Sequence, residues 1–166
     1  MYDELYILIL EDEIAHAEAI RRSIVSKRNC VSIEIAYSIG EFSGFLSKRV
    51  PDLILTDINL PDGNFLDEYA SRLPEIESPV IIMTSYGDEA VAVQAIKSGA
   101  LDYIVKSENT FNEIPRLIDR WVREWRNIQK SKQAEDALKE SEVRYRLLAD
   151  NISDTVWLLD LEFNTI

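Results

Sequence analysis

Four runs of apolar residues divide the first two thirds of the chain, and each ends on polar residues. Leu5-Tyr6-Ile7-Leu8-Ile9-Leu10 gives way to Glu11-Asp12, Leu53-Ile54-Leu55-Thr56 to Asp57, Val80-Ile81-Ile82-Met83 to Thr84, and Asp102-Tyr103-Ile104-Val105 to Lys106. Unbroken runs of this length predict strands buried on both faces, the habit of a parallel sheet. Val31-Ser32-Ile33-Glu34-Ile35 alternates instead, which predicts a half-exposed strand. Helical patterns lie between. Ile14, Ala17, Ile20 and Ile24 share one helical face. Ser38 and Glu41 form a capping-box pattern that opens a helix through Leu46. Leu60-Pro61-Asp62-Gly63 reads as a turn, and a short helix through Leu66 and Tyr69 ends before Pro74. Asp88 caps a helix Glu89–Ser98, which Gly99 ends. A fifth helix is predicted from near Asn112, with Pro115 tolerated in its first turn. Five β/α repeats predict an α/β fold, a doubly wound five-stranded parallel sheet with helices on both faces.

The fifth helix has no evident stop. From Arg116 to Asp150 there is neither Pro nor Gly, so about 35 residues of good helix formers would run roughly 50 Å. Leu117, Trp121, Trp125 and Ile128 form an apolar stripe. Leu138, Tyr145, Leu148 and Ile152 resume one at heptad-like spacing, after a polar stretch at Ser131, Lys132 and Glu135. A parallel homodimer through this helix is the expectation. Thr155–Asp160 reads as one more strand, and one strand is no domain. The expected organisation is therefore 1–126 as the α/β domain, 127–150 as a coiled-coil-like helical linker, and 151–166 as the opening of a further domain.

Charge narrows the partners. The net charge is −12, and it sits in the α/β part: residues 1–115 hold 9 Lys/Arg against 20 Asp/Glu, residues 116–150 hold 9 against 7. Such a domain suits neither nucleic acid nor an anionic membrane, since phosphate contacts need Lys and Arg. No run reaches the ~20 apolar residues of a membrane span. A single Cys30 allows no internal disulfide and points to a reducing cytoplasm.

In parallel α/β sheets, ligands bind just outside the carboxyl ends of the strands. Glu11, Asp12, Asp57, Thr84 and Lys106 would then meet on one edge: acids to collect a hard cation, a hydroxyl and an ammonium to receive an anion such as a phosphoryl group. Each acid taken singly is as well explained as a solvated turn residue or helix cap, Asp12 for the first helix and Asp57 in a turn. Trp121 and Trp125 read as helix packing, Cys30 as a thiol without a role, and His16 as a surface residue without a charged partner.

Taken jointly, Glu11-Asp12, Asp57 with Leu60-Pro61-Asp62-Gly63, Thr84, and Tyr103 with Lys106 resemble the receiver domain of two-component response regulators, from about residue 4 to 126. The resemblance implies the flavodoxin-like fold and a phosphorylation-dependent switch rather than a turnover enzyme, with self-phosphorylation and autodephosphorylation its only chemistry. It implies Asp57 as phosphoacceptor; Mg²⁺ held by Asp12, Asp57 and the backbone carbonyl of Asn59, with Glu11 acting through water; Lys106 and Thr84 as phosphoryl ligands; Tyr103 as an aromatic switch; and Asn59 and Tyr86 as residues that tune phosphoryl lifetime. A sensor histidine kinase or phosphotransfer protein is the implied donor. Lys106 is followed by Ser107 where that family commonly has proline, so a trans bond and a looser loop are expected. Residues 137–159 resemble the entry helix and first strand of a PAS sensor domain. Two other classes use a similar frame. A haloacid dehalogenase-type phosphohydrolase would need its Asp-x-Asp pair after the first strand, and a flavodoxin-like electron carrier would need a phosphate loop where Glu11-Asp12-Glu13 stands.

Overall fold

The computed structural model describes residues 4–85 and 89–151. The cap expected at Asp88, the tuning residue Tyr86, Ile152 and the strand at Thr155–Asp160 lie outside the described residues.

The predicted strands form: β1 Leu5–Leu10, β2 Val31–Ala36, β3 Leu53–Asp57, β4 Val80–Thr84 and β5 Asp102–Val105. All pairings are parallel, in the order β2-β1-β3-β4-β5, the doubly wound flavodoxin-like order. Strand alternation sorts the core into two layers. Leu8, Leu10, Ile54 and Ile82 pack with Phe42, Phe65 and Tyr69 on one face. Ile7, Ile9, Leu53, Leu55, Ile81 and Met83 pack with Ile20, Ile24, Ile114, Ile118 and Trp121 on the other.

The helices are α1 Ile14–Val25, α2 Ile39–Leu46, α3 Phe65–Tyr69, α4 Glu89–Ser98 and α5 Glu108–Asn151. The capping box at α2 forms with one displacement. The Ser38 side chain accepts from the Glu41 N–H, but the Glu41 carboxylate reaches past it to the Tyr37 N–H at 2.8 Å. Gly99 follows α4 at φ 110°, a left-handed conformation open to glycine. Within the Leu60–Gly63 turn, Asn59–Leu60 and Gly63–Asn64 pair antiparallel, and Asn64 caps α3 by accepting from Leu66 and Asp67 N–H.

Three expectations need correction. Ile14 is 66 % exposed, not part of the α1 core face of Ala17, Ile20 and Ile24; it is the first residue of its helix, beside the exposed Asp12 and Glu13. α5 begins at Glu108, not near Asn112. Ser107 is its cap, its carbonyl accepting from Phe111 N–H and its hydroxyl from Thr110 N–H. Pro115 therefore lies in the second turn, and the Lys27 ammonium and Arg28 guanidinium donate to the neighbouring carbonyls of Asn112 and Pro115. Finally, the buried face of α5 is Phe111, Ile114, Ile118 and Trp121. Leu117 only flanks it, and Ile128 is 44 % exposed.

The chain divides into two units, one ending at Arg126 and the other beginning at Asn127. The second is described as helix as far as Asn151.

Candidate functional site

The order of the strands reverses between β1 and β3, so their carboxyl ends open a crevice there. β1 delivers Glu11 and Asp12 to it, β3 delivers Asp57, and β4 delivers Thr84. The register sets Asp57 beside Met83 and Thr84 beside Val105, so Thr84 stands one step beyond Asp57 on the adjacent strand. Lys106 enters from the end of β5, where its N–H donates to the Thr84 carbonyl at 2.8 Å. The predicted convergence is present.

Lys106 Nζ is the hub. It lies 2.6 Å from Asp57 Oδ2 and 2.9 and 2.7 Å from the two Glu11 carboxylate oxygens. The Glu11 side chain is fully buried, and those of Lys106 and Asp57 are 10 % and 12 % exposed. Burial pushes the Glu11 carboxyl above its usual range against the pull of Lys106. Burial disfavours the Lys106 ammonium too, but hydrogen bonds to Asp57 and Glu11 outweigh it and hold its pKa above the ordinary lysine value. The site thus keeps one firmly charged cation against two acids. The other oxygen of Asp57 accepts from the Ile58 N–H at 2.6 Å.

One oxygen each of Glu11, Asp12 and Asp57 lies within 4.8 Å of the others, and Asp12 is exposed. Asp12 does not cap α1: the cap position is Glu13, with no side-chain hydrogen bond. A carboxylate at the rim with no capping role and two more behind it form an all-oxygen donor set. Hard cations such as Mg²⁺ prefer such sets and keep several waters within them. Asn59 Oδ1 accepts from Asn64 Nδ2 at 3.2 Å. Thr84 is 2 % exposed, whereas Tyr103 is 42 % exposed and turned outward. The Lys106–Ser107 bond is trans, as no cis peptide occurs among the described residues.

Sequence reasoning missed several neighbours. His16 is not without a charged partner: its Nδ1 lies 3.0 Å from Glu13 and 3.8 Å from Glu11, and its ring meets Phe111 edge-on at 5.5 Å. The i, i+3 spacing from Glu13 was the signal for this. The Asp62 carboxylate accepts from the N–H groups of Ile39 and Gly40 at 2.9 and 3.0 Å, tying the loop after Asp57 to the start of α2. At the other end of β5, Asp102 accepts from Trp121 Nε1 at 2.8 Å and from Arg120 at 2.6 Å.

The sequence model of the Response regulator receiver domain matches residues 7–119. The chain belongs to this family. Among curated proteins, this receiver is 32% identical over 128 residues to the methanogenesis regulatory protein FilR1 of Methanothrix harundinacea (strain 6Ac), covering 75% of this chain and 29% of that protein. It is 29% identical over 162 residues to the acid tolerance regulatory protein ActR of Rhizobium meliloti (strain 1021), covering 96% and 82%. The chain thus spans less than a third of FilR1 but most of ActR. Among solved structures, it is similar to the Mn(2+)-bound form of response regulator Rcp1 (TM-score 0.62, 21% identity, 71% of this chain and 94% of that one). It is also similar to a response regulator receiver domain protein from Clostridium thermocellum (TM-score 0.64, 21%, 75% and 98%). These structures share the fold. Membership makes this chain a phosphorylation-dependent switch of two-component signalling, with an acidic group able to hold a metal ion. No described helix is long and apolar enough to cross a membrane.

Proposed function

We propose that Asp57 is the phosphoacceptor and that residues at the ends of β1, β3, β4 and β5 serve its chemistry. The observation that carries this is the Lys106 ammonium held 2.6 Å from Asp57 Oδ2 in a largely buried site. In phosphoryl transfer from a phosphohistidine, the Asp57 oxygen forms a bond to phosphorus as the N–P bond breaks, and the electron pair leaves on the imidazole. Little covalent push is needed; positioning and neutralisation of oxygen charge supply most of the rate. Lys106 is already aimed at one side of that oxygen, and the Thr84 hydroxyl lies one register step away. Mg²⁺, held by Asp12, Asp57 and the Asn59 carbonyl with Glu11 behind, would neutralise charge on the phosphoryl oxygens. Asn59 and Tyr86 stand two residues beyond Asp57 and Thr84, where side-chain bulk governs access of water and hence phosphoryl lifetime.

Tyr103 and Thr84 form the switch. When the Thr84 hydroxyl is drawn to the phosphoryl group, space opens for the outward Tyr103 to turn in, and the populations of two states shift. A sensor histidine kinase or phosphotransfer protein supplies the phosphoryl group in the cytoplasm. Residues 127–150 form the linker to a further domain whose PAS-like opening is 151–166. The acidic balance of residues 1–115, 9 Lys/Arg against 20 Asp/Glu, suits phosphate contacts poorly, although relatives such as ZraR of Escherichia coli O157:H7 are named transcriptional regulatory proteins.

The test is labelling with a small acyl phosphate and Mg²⁺. One phosphoryl group is expected on the parent chain and none on Asp57→Asn. Equal labelling of the Asn variant refutes the assignment.

A further inference from the structure

The helix beyond Arg126 has no buried side chain: every described residue from 127 to 148 is exposed or half-exposed. Yet Leu138, Tyr145 and Leu148 are 62 %, 71 % and 57 % exposed, and a helix draws most of its stability from packing an apolar face. Their spacing of seven and three is the a, a, d spacing of a heptad. That lettering puts Ser131, Leu138 and Tyr145 at a, and Ala134, Ser141 and Leu148 at d. It puts Lys130 and Arg144 at g and Glu135 and Glu142 at e. Ile114, Ile118 and Trp121 fall at e, b and e, so the stripe has its own phase and does not continue the sheet-packing face.

The charges choose the occupant and its direction. In a parallel pair of copies, each g residue faces the partner's e residue five positions on, which brings Lys130 to the partner's Glu135 twice per dimer. In an antiparallel pair, e meets e and g meets g, so Glu135 would face the partner's Glu142 and Lys130 the partner's Arg144, all like charges. We propose that residues 127–151 form a parallel two-stranded coiled coil with a second copy of this chain, in the register that pairs Leu138, Tyr145 and Leu148 each with itself. Only three large side chains fill the seam, and Ser131 and Ser141 interrupt it, so association is in the micromolar range. Nothing in this depends on Asp57 carrying a phosphoryl group.

The experiment uses the full chain with Cys30→Ser, because Cys30 is an exposed thiol. Ser131→Cys and Ser141→Cys, placed singly at a and d, should each form a disulfide-linked dimer under mild oxidation, and Val143→Cys at f should not. An antiparallel pair has one symmetry centre and cannot cross-link both positions to themselves. In sedimentation equilibrium, Lys130→Glu should weaken the dimer about tenfold, and Lys130→Glu with Glu135→Lys should restore it. A chain monomeric at about 500 µM, whether its stripe is covered by its own residues 152–166 or left for another protein, overturns the proposal. So does a double swap that fails to rescue.

Discussion

Lys106 holds the site together before any phosphoryl group arrives. Three close acids suggest a site strained by repulsion and relieved by metal, but the single Lys106 ammonium already pairs with both Glu11 and Asp57 and offsets part of that repulsion. Removing it leaves two facing carboxylates in a largely buried place, a change that costs about 3 kcal/mol. Lys106→Met should therefore lower stability by that order in urea without metal, and Mg²⁺ should recover part of the loss. Mg²⁺ should also bind the unphosphorylated variant more tightly than the parent, because it no longer competes with the ammonium. A variant whose Mg²⁺ affinity is unchanged contradicts the hub role of Lys106. Asp62 gives a pH prediction. Hydrogen bonds from the Ile39 and Gly40 N–H groups hold its carboxyl below the usual value of 3.8, so it stabilises the fold above that pH and ceases to as pH falls through its depressed value. Asp62→Asn should melt earlier than the parent at neutral pH, and the difference should shrink below about pH 3.8. The acids, Thr84 and Lys106 were legible because each closes an apolar run. Asp62 was visible only as a turn residue, since its partners lie more than twenty positions back in the chain.

The strands were readable from their runs, and the failures fall on helix α5 and its fastenings. Pro115 suggested a start near Asn112 because proline is tolerated in a first turn. The actual cap is Ser107, the residue that stands where the family commonly has proline. Its hydroxyl makes the Thr110 contact, which proline could not. Ser107→Ala should cost about 1 kcal/mol in urea denaturation, and Ser107→Gly less. The packed face was misread by one position, as Leu117 rather than Ile118, because both choices extend to Trp121 at helical spacing and a helix of mixed charge does not favour either. Asp102 decides it in the structure: it anchors Trp121 Nε1 at 2.8 Å and so fixes the rotation of α5 against β5. Its backbone neighbour is Tyr103, whose N–H donates to the same carboxylate at 2.8 Å. Trp121→Phe deletes one bond to a charged acceptor and leaves part of the buried indole's space unfilled, which together should cost about 3 kcal/mol. If the loss is the same in an Asp102→Ala background, where no side-chain acceptor remains, the hydrogen bond is not the cause.

All buried side chains among the described residues belong to the unit that ends at Arg126: the last is Trp121, and the family match stops at 119. Both core layers, the five strand ends and the Ser107 cap lie within it. The sequence marked this boundary only as a change of charge balance and stripe, because a helix that runs on gives no Pro or Gly to announce a domain end. Residues 1–126 should thus fold alone, with a single urea transition independent of protein concentration. They should also label on Asp57 with a small acyl phosphate to the same extent as the full chain. The full chain should differ in one respect. If its added helix pairs with a second copy, its helical melting must contain a part that shifts upward with concentration, since mass action stabilises whatever the associated state favours. Circular dichroism melts at about 5 and 500 µM should show such a shift for 1–166 and none for 1–126. A shift in the truncated chain would place association on the α/β unit instead, and the coiled-coil register would lose its main support.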